Sequence, residues 1–282
     1  MSNLQSLPSF ADPPVVEVAV SAQFDPLAKL NVPLLGLLWQ RFRSEYPTVE
    51  QQPPLLPVVE RLGVRLPMPS FRVEPVGALP PRLWFINARG DELVQVQNDR
   101  FIRNWRHIPG ETHSYPRYFE SVRPKFLDDY GRFLQFLVDE GAGPPDVNQC
   151  ELTYINHIVP TEHWSSHSQL AHVFRGWADE YTSDAEYPVE AIHLSVSHLI
   201  QAAGGEFVGR LHVTLNSAFT IPTPVDPTEK PIFVLTLVAR GMPIGSQDTG
   251  IVEFLDLGHR AIVTSFDKMT TTEAHAIWRK EP

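Results

Sequence analysis

Two groups of residues in this chain have types and spacing that could do chemistry. The first is the stretch 98–106, NDRFIRNWR, followed by Tyr115 and then Pro116-Arg117-Tyr118. It interleaves Arg100, Arg103 and Arg106 with Phe101 and Trp105, beside Asn104. Guanidinium groups next to aromatic rings can stack on bases and clamp phosphates. The same residue types can also pin a loop by hydrogen bonds and cation–π packing. The second group comes from alternating segments of the later half. In 191–199 the residues His193, Ser195 and Ser197 alternate with Ile192, Leu194 and Val196. In 207–217 Arg210, His212, Thr214 and Asn216 alternate with Leu211, Val213 and Leu215. Glu151, Thr153 and His157 add to the polar set. On one sheet face these side chains form a binding surface, or an acid/base pair of His193 or His212 with Glu151. A solvated polar face, which antiparallel sheets commonly carry, fits the same pattern.

Other chemistry is harder to place. Eleven histidines form no HExxH pattern, and no carboxylate-rich metal motif is present. His157, His163, His167 and His172 are close in sequence, but a strand, loop and helix would scatter them. There is no GxGxxG, no GxxxxGK[ST] and no GxSxG. His113-Ser114 and the serines near Trp164 lack a spacing that pairs a nucleophile with its base. Cys150 is the single cysteine, so an internal disulfide and Cys-based zinc sites are ruled out. No catalytic residue, metal or cofactor is expected. The net charge of −10 disfavours generic nucleic-acid binding, which needs Lys and Arg to neutralise phosphates. No uncharged apolar run approaches the ~20 residues of a membrane span, and residues 1–14 do not read as a signal peptide, so a cytoplasmic protein away from membranes is expected.

The elements that must position these residues are read from hydrophobic period. Val16, Val18 and Val20 alternate with Glu17, Ala19 and Ser21, which predicts a strand over 15–24. Leu34, Leu35, Leu38 and Phe42 recur at helical spacing and stop before Pro47. Strands follow at 58–66, 82–88 and 92–98, the last two joined by Arg89-Gly90-Asp91, a hairpin signal. A helix over 118–140 carries Phe119, Val122, Phe126, Phe133 and Leu137 on one stripe, and Pro124 falls near its first turn. The linker 141–145, GAGPP, ends the first round. The second round predicts a strand over 149–159 and a helix bearing Leu170, Val173, Phe174, Trp177 and Tyr181, capped by Ser166 or Ser168. Strands at 191–199, 207–217 and 232–240 come next, with a proline-rich loop at 222–231. A long helix over 248–268 follows, and Thr270 with Glu273 reads as a capping box for a short last helix. The order strand, helix, three strands, helix is thus met twice. The expected fold is α+β: a duplicated unit, residues 1–141 and 146–282, whose antiparallel, curved sheet carries helices on one face and buries an edge of each half against the other.

The opening PPVVEVAVSAQF, the stretch LVQVQNDRFIRNWR followed by YPRY, and the ending LDLGHRAIVTSFDKMTTTEAHAIW together resemble a sporadically distributed bacterial family of about this length, marked by an NDRFxxNWR-type motif. The patchy distribution of that family implies horizontal transfer, as for toxin–antitoxin, phage-defence and mobile-element genes. It assigns no catalytic residues to carry over. The element order is also similar to that of TATA-binding-protein-like and helix-grip folds, an analogy of fold alone. The expected function is a non-enzymatic binding protein. Its polar sheet face or the NWR region, with Arg103, Asn104, Trp105, Arg106, Tyr115, His193, Arg210 and His212 as the candidate residues, takes up a partner protein or a small ligand. A homodimer is one such assembly. The alternatives are a hydrolase or phosphate-ester-processing enzyme using second-half histidines, and a nucleic-acid binder using 100–106.

Overall fold

A computed structural model describes residues 7–63, 81–111, 115–178, 186–187, 189–222 and 227–282. It is an α+β fold built on one open, nine-stranded antiparallel sheet. The strands are β1 (Val15–Phe24), β2 (Thr48–Gln52), β3 (Arg82–Ile86), β4 (Glu92–Gln97), β5 (Arg100–Arg106), β6 (Val147–Ile158), β7 (His193–Gln201), β8 (Phe207–Phe219) and β9 (Pro231–Gly241). Their order is β2-β3-β4-β5-β1-β6-β9-β8-β7. Both β1 and β6 are therefore central. Outward from that pair the strands run 5, 4, 3 on one side and 9, 8, 7 on the other.

Three main helices cover one face. Helix α1 (Val32–Phe42) starts where the Asn31 side chain accepts a hydrogen bond from the Leu34 amide, and Phe42 packs on Phe85 of β3. Helix α2 (Arg123–Asp139) continues from one π-helical turn at Tyr118–Val122, and the wider turn falls just before Pro124, which has no N–H to give to the preceding turn. Its Phe126 and Phe133 meet Phe101 of β5, and Phe133 stacks on Phe24. Helix α3 (Gln247–Met269) crosses the second half. Phe254 of α3 lies against the backbones of Gly209 and Gly241, which face each other across β8 and β9, and a methyl at either would overlap its ring. Helix α4 (Thr272–Ile277) is capped by Thr271, which accepts from the Ala274 amide, one residue later than the Thr270 the sequence suggests. The Thr270 hydroxyl instead donates to the Phe266 carbonyl, closing α3.

The core is the layer between helices and sheet. Val18, Val20, Ala22 and Phe24 of β1 and Cys150, Leu152 and Tyr154 of β6 line it, and Cys150 is fully buried there. The chain ends meet: Phe10 bridges to Lys280, and the Ala11 and Asp12 amides donate to the carbonyls of Arg279 and Trp278.

Several expectations need correction. The first half has four strands after α1 rather than three. β2 falls before the proline-rich stretch, and β5 is a strand in its own right, joined to β4 through the two-residue turn Asn98-Asp99. Residues 53–61 form no strand, and the end of the strand expected over 58–66 lies outside the described residues. The helix expected after β6 is a short 3-10 helix, His167–His172, with a capping box of Ser166 and Gln169. Tyr181, His113, Ser114 and the middle of the 222–231 loop also lie outside the described residues. Among the described residues no helix is long and apolar enough to cross a membrane.

Candidate functional site: the open face of the sheet

Side chains alternate across a strand, so the face away from the helices is fixed by register. One row across it reads Trp84, Gln95, Ile102, Ser21, Glu151, Arg240, Arg210, Leu199, from β3 to β7. The next reads Leu93, Asn104, Ala19, Thr153, Val238, His212, Ser197. A third holds Arg106, Glu17, Ile155, Thr236, Thr214, Ser195.

This face is not bare. Residues 55–61 lie across it as an extended strap, held by side-chain amides rather than by a strand ladder. The Leu55 amide donates to Gln97 Oε1 (2.9 Å), and Gln97 Nε2 donates back to the Leu55 carbonyl (3.0 Å). The Val58 amide and carbonyl make the same reciprocal pair with Gln23, at 3.0 and 3.1 Å. The Glu60 amide donates to Gln149 Oε1 (2.9 Å). Gln97, Gln23 and Gln149 stand on β4, β1 and β6. Strands are about 4.8 Å apart and an extended residue advances about 3.3 Å, so three residues of strap span the two strand spacings from β4 to β1. Leu56, Val58 and Val59 are more than 40% exposed, while Glu60 is buried. Between strap and sheet a cavity of about 200 Å³ is lined by Ser21, Arg100, Ile102, Glu151 and Arg240 among others.

Glu60 ends the strap in a cluster of cationic side chains. Its carboxylate is bound by Arg210 Nη1 and by His212 Nε2 (2.9 Å), with Arg240 Nη1 at 4.0 Å. Arg210 Nη2 also donates to the Arg61 carbonyl (3.0 Å), and Arg240 pairs with Glu151. Burial pushes the Glu60 carboxyl up, but the hydrogen bonds from His212 and Arg210 outweigh it and hold the group below the usual carboxylate range. On its other side His212 Nδ1 is 3.0 Å from Ser197 Oγ. Ser197, His212 and Glu60 therefore form a continuous hydrogen-bonded line.

The candidate residues divide between the two faces. Asn104, Arg106, His193, Arg210 and His212 lie on the open face. Asn104 accepts from Gln95 Nε2 and donates to Glu17, and Arg106 Nε donates to the carbonyl of Gly90 (2.6 Å), in the β3–β4 turn. His193, hydrogen-bonded to Asn216, is four residues along the strands from His212, about 13 Å. Arg103, Trp105 and Tyr115 lie beneath the helices. Trp105 meets Tyr115 edge-on, so Asn104 and Arg106 do not share the corner formed with that tyrosine. Arg103 is buried between Glu92 (2.9 Å) and Asp129 of α2 (3.1 Å), and Tyr46 donates to the same aspartate. Arg100, Arg103 and Arg106 thus make no shared clamp, because the strand turns the middle one to the opposite side. Arg100 on the open face is held by Asp99 through two hydrogen bonds.

Sequence reasoning does not find Glu60 or the three glutamines. A signal was present: Gln23, Gln97 and Gln149 all sit at strand ends on the polar side of their periods. Among the described residues no group of three or more His, Cys, Asp or Glu side chains gathers as a metal site. The chain finds no match among protein-family models, curated proteins or solved structures.

Proposed function

We propose that the protein is a non-enzymatic binding protein whose open sheet face takes up an extended peptide segment of a partner protein, with a carboxylate side chain seated among Arg210, His212 and Arg240. The supporting observation is the strap: a segment of the chain itself already occupies that face, and it is held by groups that recognise backbone. Paired amide hydrogen bonds to N–H and C=O read extended conformation rather than sequence, as in strand-addition recognition. The one side chain read specifically is Glu60. On this view the strap is an internal occupant that a partner segment replaces. Every arginine named on this face has an acceptor within the fold, which speaks against a phosphate-tracking groove. The outward order 5-4-3 and 9-8-7 around the central pair, each set followed by a long helix, supports the duplicated unit and its likeness to TATA-binding-protein-like or helix-grip folds; β2 has no counterpart. A place in a bacterial defence or toxin–antitoxin type system rests on the resemblance of the NDRFIRNWR stretch alone.

The test is titration of the synthetic peptide PPLLPVVER into the Glu60→Gln protein, in which the strap has lost its anchor. Saturable binding is expected, weakened about tenfold or more, or roughly 1.4 kcal/mol, when Arg210→Gln is added. Absence of binding to Glu60→Gln, or binding indifferent to Arg210, would overturn the proposal.

A second reading is favoured by one observation, the Ser197–His212–Glu60 line, which has the connectivity of a hydrolytic triad. Against it, Ser197 is exposed in the regular ladder of the edge strand, and Arg210 neutralises the carboxylate that would stabilise an imidazolium. Labelling of Ser197 by a fluorophosphonate, lost in His212→Gln, would favour the enzyme; an unlabelled protein favours the binding module.

A further inference from the structure

On the opposite side of the sheet, the entry of α2, helix α3 and the N-terminal segment enclose a cavity of about 220 Å³. A cavity of about 150 Å³ is enough to hold benzene, so this one has room for a two-ring molecule. Its walls are the rings of Phe10, Tyr118, Phe119 and Phe266 with Ile262 and Val263; Tyr154, Asn156 and Leu237 of the sheet form the floor. We infer that this cavity binds a small, neutral, ring-containing molecule carrying a hydroxyl or carbonyl group.

Two features fix that chemistry. The first is the absence of charge within. The charged side chains of the lining are Arg117 and Glu120, both exposed at the mouth, and Arg117 is engaged by Glu281, with Nη2 to Oε1 at 2.7 Å. Burial pushes the His259 imidazole down to about 3, so it stays neutral near pH 7. An ionised ligand would lose its hydration without gaining a counter-charge. The second feature is a hydrogen-bonded chain along one wall: Tyr115 Oη is 2.7 Å from Tyr154 Oη, which is 3.1 Å from His259 Nδ1. Each hydroxyl has one proton to give. If His259 Nδ1 accepts from Tyr154, its other ring nitrogen carries the proton and is a donor. If Nδ1 donates instead, Tyr154 donates to Tyr115, whose own proton is then free. In either arrangement the chain has a proton left over for an acceptor. Asn156 donates to the Leu235 carbonyl, leaving its side-chain oxygen to accept from a ligand hydroxyl. Tyr118 stacks on His259 with centroids 4.1 Å apart and fixes the plane of the imidazole. An imidazole so weakly basic is a poor general base.

The experiment is calorimetric titration of the full chain with 2-naphthol, against 2-naphthoate as the charged analogue and 2-naphthoic acid methyl ester as the neutral control of the same size. Saturable binding of 2-naphthol is expected, with 2-naphthoate at least about tenfold weaker. Val263→Trp, which fills the cavity, should abolish it, and Pro8→Trp, which blocks the mouth without touching the core, should do the same if the first variant does not fold. Naphthalene, which offers the chain no acceptor, should bind about tenfold more weakly than 2-naphthol. No saturable binding to the wild type, equal binding of the anion, or undiminished binding to a folded cavity-filled variant would overturn the inference.

Discussion

Arg103 and Arg106 are two residues apart and have opposite fates. Arg103 is 2% exposed and its guanidinium is shared by the buried Asp129 and the half-buried Glu92. Asp129 keeps Arg132 and the Tyr46 hydroxyl, and Glu92 keeps Lys125, so Arg103→Met, which removes the one cation the two carboxylates share, should cost about 3 kcal/mol in urea-unfolding measurements. Arg106→Ala loses one hydrogen bond to Gly90 and should cost about 1 kcal/mol. A reversed ranking would mean that the buried network is not what holds β5 to α2. His259 gives a pH signature. Its folded value is about 3 and its unfolded value about 6.5, so between them the unfolded chain binds a proton that the folded chain refuses. Stability is full above about pH 6.5 and falls with decreasing pH, by up to about 1.4 kcal/mol per unit. The stability of wild type relative to His259→Phe should fall as pH drops from 7 to 5; a constant difference would contradict a neutral buried imidazole. The acid/base pairing of His212 with Glu151, suggested by period alone, is replaced by His212 with Glu60, because Glu151 is taken by Arg240 and Glu60 arrives from 152 residues away.

At the scale of elements, the strap is the segment whose attachment is most separable from the core. Leu56, Val58 and Val59 are exposed, and the strap's hold is five amide hydrogen bonds, the Glu60 carboxylate and one hydrogen bond from Arg210 to the Arg61 carbonyl. Gln23→Ala should therefore speed hydrogen exchange at the Val58 amide while leaving exchange in β1 and β6 unchanged; unchanged exchange at Val58 would mean that the strap is held elsewhere. The Glu60 anchor has its own pH sign. A carboxyl held below its usual range contributes stability that is present above that range and is lost as pH falls through the folded value. The advantage of wild type over Glu60→Gln should close in acid. Elements with clean period were legible: β1, β6, β8, β9, α2 and α3 bury alternate or every third-to-fourth residue. β5 was not, because it is covered on both faces and so lacks an apolar–polar alternation. β2 was not, because TVEQQ lies on the sheet edge with nearly every residue exposed.

For the whole molecule, one sheet separates two candidate sites that share no wall: a polar face crossed by its own chain, and a neutral cavity under the helices. The polar face was legible in part, since alternation places His193, Arg210 and His212 on one side whatever the strand order. The strap was not, since its partners are spread over strands 35 to 152 residues distant. The cavity was hidden because Tyr154 and His259 occupy apolar positions of their periods and read as core. His259 falls in the stripe Leu255, His259, Ile262, Phe266, where an imidazole among hydrophobic neighbours was the available clue.

Cys150 sits at the middle of this arrangement, on β6 between β1 and β9, with no exposed surface. Burial pushes its thiol up to about 12, so the native protein offers a reagent neither access nor thiolate. A disulfide reagent such as Ellman's can then react only after the central strands part. The rate of colour development under native conditions becomes a clock for opening of the sheet's centre, with no probe introduced. Destabilising changes far from it, such as Arg103→Met, should quicken that clock in proportion to the unfolded population, while Gln23→Ala, if it frees only the strap, should leave it ticking at the wild-type rate.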